Sequence, residues 1–348
     1  MKLEIDSLVR KNISKLKPYS SARDEFQPPS MEDSLIYLDA NENPFNSDYN
    51  RYPDSHQRAL KNKIAEIKGL TPGQIFLGNG SDEAIDLLIR AFCEPGIDNI
   101  IIPQPTYGMY SVCAAISNVE VKQVLLTSEF KIDCTVIEQS WNDHSKIIFL
   151  CSPNNPSGNL LNKEAIKSLL LRFQGLVVVD EAYIDFTEDK GFAPFLNEFN
   201  NLVILQTLSK AWGLAGLRLG MCFANPEVIT ILNKIKPPYN INTVTQSLAL
   251  RQLDKENQKT AWVKEIVAER EKLKKELILL TIVEKVFPSD ANFLLVRVPG
   301  AKNVYDQLVN QGIIARDRSN VILCEQCLRV TVGTPGENKQ LIDAIKRL

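Results

Sequence analysis

Short apolar runs of β character alternate with helical patterns along most of this chain, and no other feature of the sequence constrains the fold as strongly. Residues 100–102, 121–125, 147–150, 177–179, 203–205 and 219–223 read as strands. Several show no polar alternation, the pattern of strands covered by helices on both faces. Between them, residues 82–92, 107–116, 163–173 and 226–235 have helical texture. Regular strand–helix alternation implies an α/β fold built on a mostly parallel sheet.

The texture changes after about residue 240. Residues 243 to about 280 are charge-rich, with Trp262, Ile266, Leu273 and Leu277 on one apolar stripe. They read as a single long helix that crosses from one domain to the next. A strand over 293–298, a helix over 304–311, short strands at 313–315 and 328–332, and a helix from Glu337 complete a smaller α+β unit. At roughly 100–200 residues per domain, 348 residues make about two domains. The expected division is a large domain over 40–245 and a small one over 1–39 and 246–348, with its N-terminal part as a lid.

Composition excludes several classes of function. Forty Lys and Arg against 42 Asp and Glu give no basic excess, so no nucleic-acid partner is expected. The longest apolar runs, such as 277–283, are too short to span a bilayer, so none is expected there either. Residues 1–17 mix charges with isolated apolar residues, unlike a secretory leader, and a cytoplasmic location follows. Seven scattered cysteines suit reduced thiols better than a disulfide framework. The Cys324-Glu325-Gln326-Cys327 segment has no second pair near it, so no metal is expected. His56 and His144 fall outside every motif, which leaves acid–base chemistry to another side chain.

The segment Thr207-Leu208-Ser209-Lys210-Ala211-Trp212-Gly213-Leu214-Ala215-Gly216-Leu217-Arg218-Leu219-Gly220 carries the strongest chemical signal. A lysine follows a buried strand, where α/β folds place ligands, and apolar surroundings disfavour its ammonium form. Hydroxyls flank it, small residues and glycines follow, and an arginine lies eight residues on. Asp180-Glu181-Ala182-Tyr183 puts an acid at another strand end, and Cys151-Ser152-Pro153-Asn154-Asn155-Pro156-Ser157-Gly158 follows a third. Gly78-Asn79-Gly80-Ser81-Asp82 opens a helix whose free N–H groups and dipole favour an anion. Gln104-Pro105-Thr106-Tyr107-Gly108 brings an aromatic ring to the start of the next helix.

With these motifs in this order and approximate spacing, nearly the whole chain resembles the fold-type I pyridoxal-phosphate aminotransferases, and among them the histidinol-phosphate aminotransferases. The resemblance implies pyridoxal 5′-phosphate as cofactor. It implies that Lys210 carries the cofactor and shuttles the proton, and that Asp180 pairs with the protonated ring nitrogen. Asn155 and Tyr183 would hydrogen-bond the ring oxygen, Tyr183 counting among the catalytic residues, and Tyr107 would stack on the ring. Gly80, Ser81, Asp82, Thr207, Ser209 and Arg218 would hold the phosphate. Tyr52 would reach the cofactor of the neighbouring subunit in a homodimer. Substrate binding would fall to Tyr19, Asn155, Arg316 and Arg329, with Arg318 a solvated surface charge. The implied substrates are a phosphorylated amine, L-histidinol phosphate, and a 2-oxo acid, 2-oxoglutarate, with glutamate as product. A threonine-phosphate decarboxylase, a broad-range aromatic aminotransferase and a pyridoxal-dependent regulator remain as alternatives.

Overall fold

A computed structural model describes residues 3–19 and 36–348 of the chain. Seven strands form the large sheet: β1 (Ile75–Asn79), β2 (Asn99–Gln104), β3 (Glu120–Leu125), β4 (Ser145–Cys151), β5 (Leu176–Asp180), β6 (Leu202–Thr207) and β7 (Leu219–Ala224). Their order is β1-β7-β6-β5-β4-β2-β3. The neighbours from β6 to β3 pair in parallel, whereas β7 is antiparallel to both β6 and β1. The exception has a local cause. Residues 208–218 return the chain directly beside β6, and a direct return produces an antiparallel neighbour, while parallel pairing needs a crossover.

The alternation of side chains along the strands builds two cores. Val178, Val203 and Leu205 face a layer with the helix Ser81–Phe92 and the helix Pro226–Ile235. Val177, Val179, Leu202 and Ile204 face the opposite layer with the helices Arg58–Lys68 and Lys163–Arg172. Burial on both faces accounts for the uniformly apolar strands. The parallel strands β2, β4, β5 and β6 end at one edge, at Gln104, Cys151, Asp180 and Thr207.

A second sheet has the order β10-β11-β9-β8, all antiparallel, from β8 (Lys285–Val286), β9 (Phe293–Arg297), β10 (Arg316–Asp317) and β11 (Cys327–Thr331). Leu294, Val296, Leu328 and Val330 on one face pack with the helices Ala301–Asn310 and Pro335–Ile345. The other face carries Phe293, Leu295 and Arg329.

Three expectations need correction. Residues 243–280 form two helices, Thr243–Leu253 and Glu256–Ile278, not one. The first buries Ala249 and Leu253 against the large sheet, and the second buries Leu273 and Leu277 against the small one. One straight helix cannot present both stripes to separate cores, and the break lies at Asp254, which pairs with Lys63 at 2.7 Å. The strand expected at 313–315 is displaced to Arg316–Asp317. There Gly312, at φ +78°, ends the preceding helix and Ile313 N–H closes back on Leu308 O at 2.9 Å. Finally, Ile5, Leu8 and Val9 pack in the core of the large sheet, so the start of the chain does not join the small unit with which 1–39 was grouped. Residues 20–35, part of the expected lid, lie outside the described residues. Among the described residues no helix is long and apolar enough to cross a membrane.

Candidate active site

The carboxyl ends of β4, β5 and β6 meet the N-terminus of the helix Ser81–Phe92 in one cleft. Asp180 lies at its floor, 2 % exposed at the last position of β5. One carboxylate oxygen accepts the Tyr110 hydroxyl at 2.6 Å and the other accepts Ala182 N–H at 3.1 Å. Burial raises the Asp180 pKa to about 6, against the downward pull of these two bonds. The group can therefore be ionised at neutral pH, and a cationic ligand atom above it would favour that form.

Lys210 follows β6 and lines the cleft, its Nζ 5.6 Å from the centre of the Tyr183 ring. Burial lowers its pKa, and the nearby charge of Arg329 adds to the effect. Both increase the neutral amine, the form that attacks a carbonyl and takes up protons.

An anion-binding end is built from two loops joined through their backbones. Gly80 caps the helix at φ +74° and donates its N–H to Arg218 O at 2.7 Å. Arg218 adopts a left-handed conformation at φ +52°, which a non-glycine residue holds only when its surroundings fix it. Gly220 presses against this turn: a Cβ there would lie 2.1 Å from Ser81 N and 2.2 Å from Gly80 C. The helix N–H groups of Ser81 and Asp82 and the Arg218 guanidinium thus converge with Thr207 and Ser209, whose hydroxyls bond each other at 2.9 Å. The Arg218 guanidinium stands 3.6 Å from the Asp82 carboxylate and is half exposed, so it remains able to meet a ligand anion. Tyr107 is held at the rim by its hydroxyl bond to Asp82, 3.0 Å.

On the other side, Asn155 Oδ1 accepts a hydrogen bond from Arg329 of β11. That contact ties the small sheet to the cleft and leaves the Asn155 Nδ2 donor free of described partners. Phe293 of β9 meets Tyr183 edge-on at 5.1 Å, and the Arg329 guanidinium lies 5.2 Å from the centre of the Phe293 ring.

The model of the family "Aminotransferase class I and II" matches residues 37–345. The chain belongs to this family. It is 53 % identical over 345 residues to the histidinol-phosphate aminotransferase of Parabacteroides distasonis, covering 99 % of both chains. It is 51 % identical over 350 residues to that of Cytophaga hutchinsonii, again with 99 % of each covered. Among solved structures, the histidinol-phosphate aminotransferase of Clostridium acetobutylicum matches with a TM-score of 0.79 at 28 % identity, over 85 % of this chain and 90 % of that one.

In this aminotransferase the cleft gathers Gly80, Ser81, Asp82, Tyr107, Asn155 and Asp180, and with them Tyr183, Thr207, Ser209, Lys210 and Arg218. Tyr52, Tyr19, Arg316 and Arg329 are not among its lining residues; Arg329 meets the cleft through its bond to Asn155, and Arg316 is exposed. Tyr52 stacks on Tyr239 at 4.5 Å and is half exposed, and Tyr19 is 70 % exposed. Sequence reasoning missed Tyr110, whose signal is its place one helical turn after Tyr107. It also misplaced Arg318 as a surface charge. Arg318 is half-buried, and its pKa is lowered by burial and by the charges of Arg329 and Arg316.

Proposed function

We propose that this aminotransferase converts L-histidinol phosphate and 2-oxoglutarate to imidazole-acetol phosphate and L-glutamate in histidine biosynthesis. The proposal includes pyridoxal 5′-phosphate in the cleft, ping-pong kinetics and a cytoplasmic homodimer. The single observation that carries the substrate reading is the placement of Arg329. This cation is bonded to Asn155 in the cleft and sits opposite Arg316 on the neighbouring strand, a receptor for an anion next to the reacting end.

The residues present fit the cofactor. The carboxylate floor, the phosphate cup closed by Gly80 and Gly220, and the partly neutral lysine match its ring nitrogen, phosphate and aldehyde in turn. Bound pyridoxal phosphate supplies an electrophilic aldehyde and an electron-withdrawing ring. Asp180 would keep a proton on the ring nitrogen, and Tyr110 fixes the carboxylate in place. With the cofactor bound, Lys210 would carry the proton between the substrate Cα and the C4′ carbon of the cofactor, on the far side of the shared nitrogen. Asn155 Nδ2 and Tyr183 stand beside the cleft as donors to the ring oxygen. Burial raises the Tyr183 pKa, so its hydroxyl stays protonated and donates.

The homodimer reading is supported by a run of exposed apolar side chains near Tyr52. Leu38, Phe45 and Tyr49 are 89, 81 and 67 % exposed. A second subunit would cover them and carry Tyr52 to the neighbouring phosphate cup. The seven free cysteines accord with a reducing compartment.

The test is kcat/KM for histidinol phosphate, histidinol, threonine phosphate and phenylalanine. A strong preference for histidinol phosphate with 2-oxoglutarate supports the proposal. Release of CO2 from threonine phosphate, or equal use of phenylalanine, overturns it in favour of the decarboxylase or the aromatic aminotransferase.

A further inference from the structure

Three arginines share one face of the small sheet. β10 pairs antiparallel to β11 with Arg316 opposite Arg329, so both side chains leave the sheet on the same side. The ladder continues one step further, because Arg318 N–H bonds Cys327 O at 2.9 Å. Arg318 lies two residues beyond Arg316 and so shares its face.

Among the described residues none of the three arginines forms an ion pair. Like charges directly opposite on a sheet repel. The Arg318 Nε is buried with no hydrogen-bond partner. The carboxylate between Arg316 and Arg318 in sequence, Asp317, falls on the opposite face, where it accepts the Ser319 N–H at 2.8 Å and the Ser319 hydroxyl. Arg329 is partly satisfied by Asn155, whereas the Arg318 side chain makes no hydrogen bond or ion pair with any described residue. Arg318 is nevertheless close enough to Arg329 and Tyr183 to influence the titration of Tyr183, which lines the cleft. A half-buried cation whose Nε is sealed from solvent, held near two others, is tolerated when a ligand brings the missing negative charge.

We propose that Arg318 is a third arm of the substrate-anion receptor, selecting a phosphate dianion over a carboxylate. The inference deepens the proposed function and rests on it for the identity of the phosphorylated amine. Two arginines neutralise one dianion. A third gives the guanidinium forks enough donors to reach all three terminal phosphate oxygens, and leaves a net attraction that a singly charged carboxylate exploits less. Glutamate uses the same receptor in the other half-reaction with one negative charge at its distal end. Arg318 therefore acts as the discriminator, and Arg316 and Arg329 serve both substrates.

The experiment uses the holoenzyme and the variants Arg318→Gln and Arg318→Lys. In Arg318→Gln, kcat/KM for histidinol phosphate is expected to fall at least tenfold, mainly through KM, while the glutamate half-reaction falls less than threefold. Arg318→Lys should recover part of the loss. A merely structural role would move both half-reactions together, and that result overturns the proposal. A second measurement needs no turnover. Inorganic phosphate is titrated into wild-type and variant holoenzyme by calorimetry. At least tenfold weaker phosphate binding in Arg318→Gln supports the anion role even where histidinol phosphate proves not to be a substrate, which would fault the proposed function alone. Unchanged phosphate affinity overturns the role of Arg318 whatever the substrate.

Discussion

The Tyr110 hydroxyl donates a 2.6 Å hydrogen bond to the buried carboxylate of Asp180. Tyr110 is fully buried, stacked on Phe149 at 4.7 Å, and so has one orientation in which to do so. A bond to the ionised form opposes the burial that raises the Asp180 pKa to about 6. Tyr110→Phe is therefore expected to weaken cofactor binding at pH 7 about tenfold, since hydrogen bonds to charged groups contribute about 1.5–3 kcal/mol. In an Asp180→Asn background the same change should cost little further, as coupled residues are not additive. Fluorescence titration of cofactor into the four apo-proteins reads this cycle directly. Fully additive losses would show that Tyr110 acts on the fold and not on Asp180.

Lys210 combines a lowered pKa with a place at the carboxyl end of β6. Borohydride treatment of the holoenzyme, followed by peptide mapping, should place the pyridoxyl group on Lys210. Lys210→Ala should lose nearly all turnover while keeping cofactor in the phosphate cup. Label on another lysine refutes the assignment.

Gly220 leaves no room for a side chain, because an added methyl would meet the backbone of Gly80 and Ser81. Gly220→Ala is expected to push the helix N-terminus out of line with Arg218. The cofactor dissociation constant should rise by a factor of roughly 10 or more, corresponding to about 1.4 kcal/mol. Equilibrium dialysis against apo-protein measures it. Wild-type affinity in this variant would mean that the cup adjusts freely.

Glu181, next to Asp180, is 1 % exposed and accepts hydrogen bonds from Phe192 N–H at 2.6 Å and Gln206 Nε2 at 2.9 Å. Burial nonetheless raises its pKa from 4.5 to about 7. The folded state holds this proton more tightly than the unfolded chain, so stability falls as pH rises from about 4.5 to about 7. Glu181→Gln should remove that part of the slope and gain up to about 3 kcal/mol relative to wild type at pH 8. The unpartnered Gln206 Oε1 can turn to accept the new amide. Urea unfolding of the apo-proteins at pH 5 and pH 8 tests the sign. A parallel slope in both proteins contradicts it.

Tyr52 stands outside the cleft of its own chain, stacked on Tyr239. If it serves a neighbouring subunit, Tyr52→Phe should weaken cofactor binding by about 1–3 kcal/mol. Mixing inactive Tyr52 and Lys210 variants should then restore part of the activity through hybrid dimers with one intact site. An active monomer by light scattering excludes the arrangement.

Much of this protein was legible along the chain. Five strands of the large sheet, β2 and β4 to β7, and the order of its helices follow from apolar runs, because strands buried on both faces leave an unmistakable local pattern, whereas the edge strand β3 is mostly exposed and mixes Lys122 and Gln123 with its apolar residues. Lys210, Asp180, Asn155 and the Gly80–Ser81 turn were recognisable because each sits at or shortly after a strand end or at a helix start, where α/β folds place ligand chemistry. Strand β1 was hidden by Gly78 and Asn79, which leave only three apolar residues in a row and weaken the strand signal. Only tertiary structure decided the rest. The break at residue 254 depends on two separate cores claiming the two halves of one helical pattern. The bond from Tyr110 to Asp180 spans 70 residues. The shared face of Arg316, Arg318 and Arg329 depends on strand register, which one residue of slip would reverse. Periodicity records which side of an element is apolar. It carries no record of which distant charge will lie opposite, and here that pairing sets Arg316 and Arg329 side by side on one face of the small sheet.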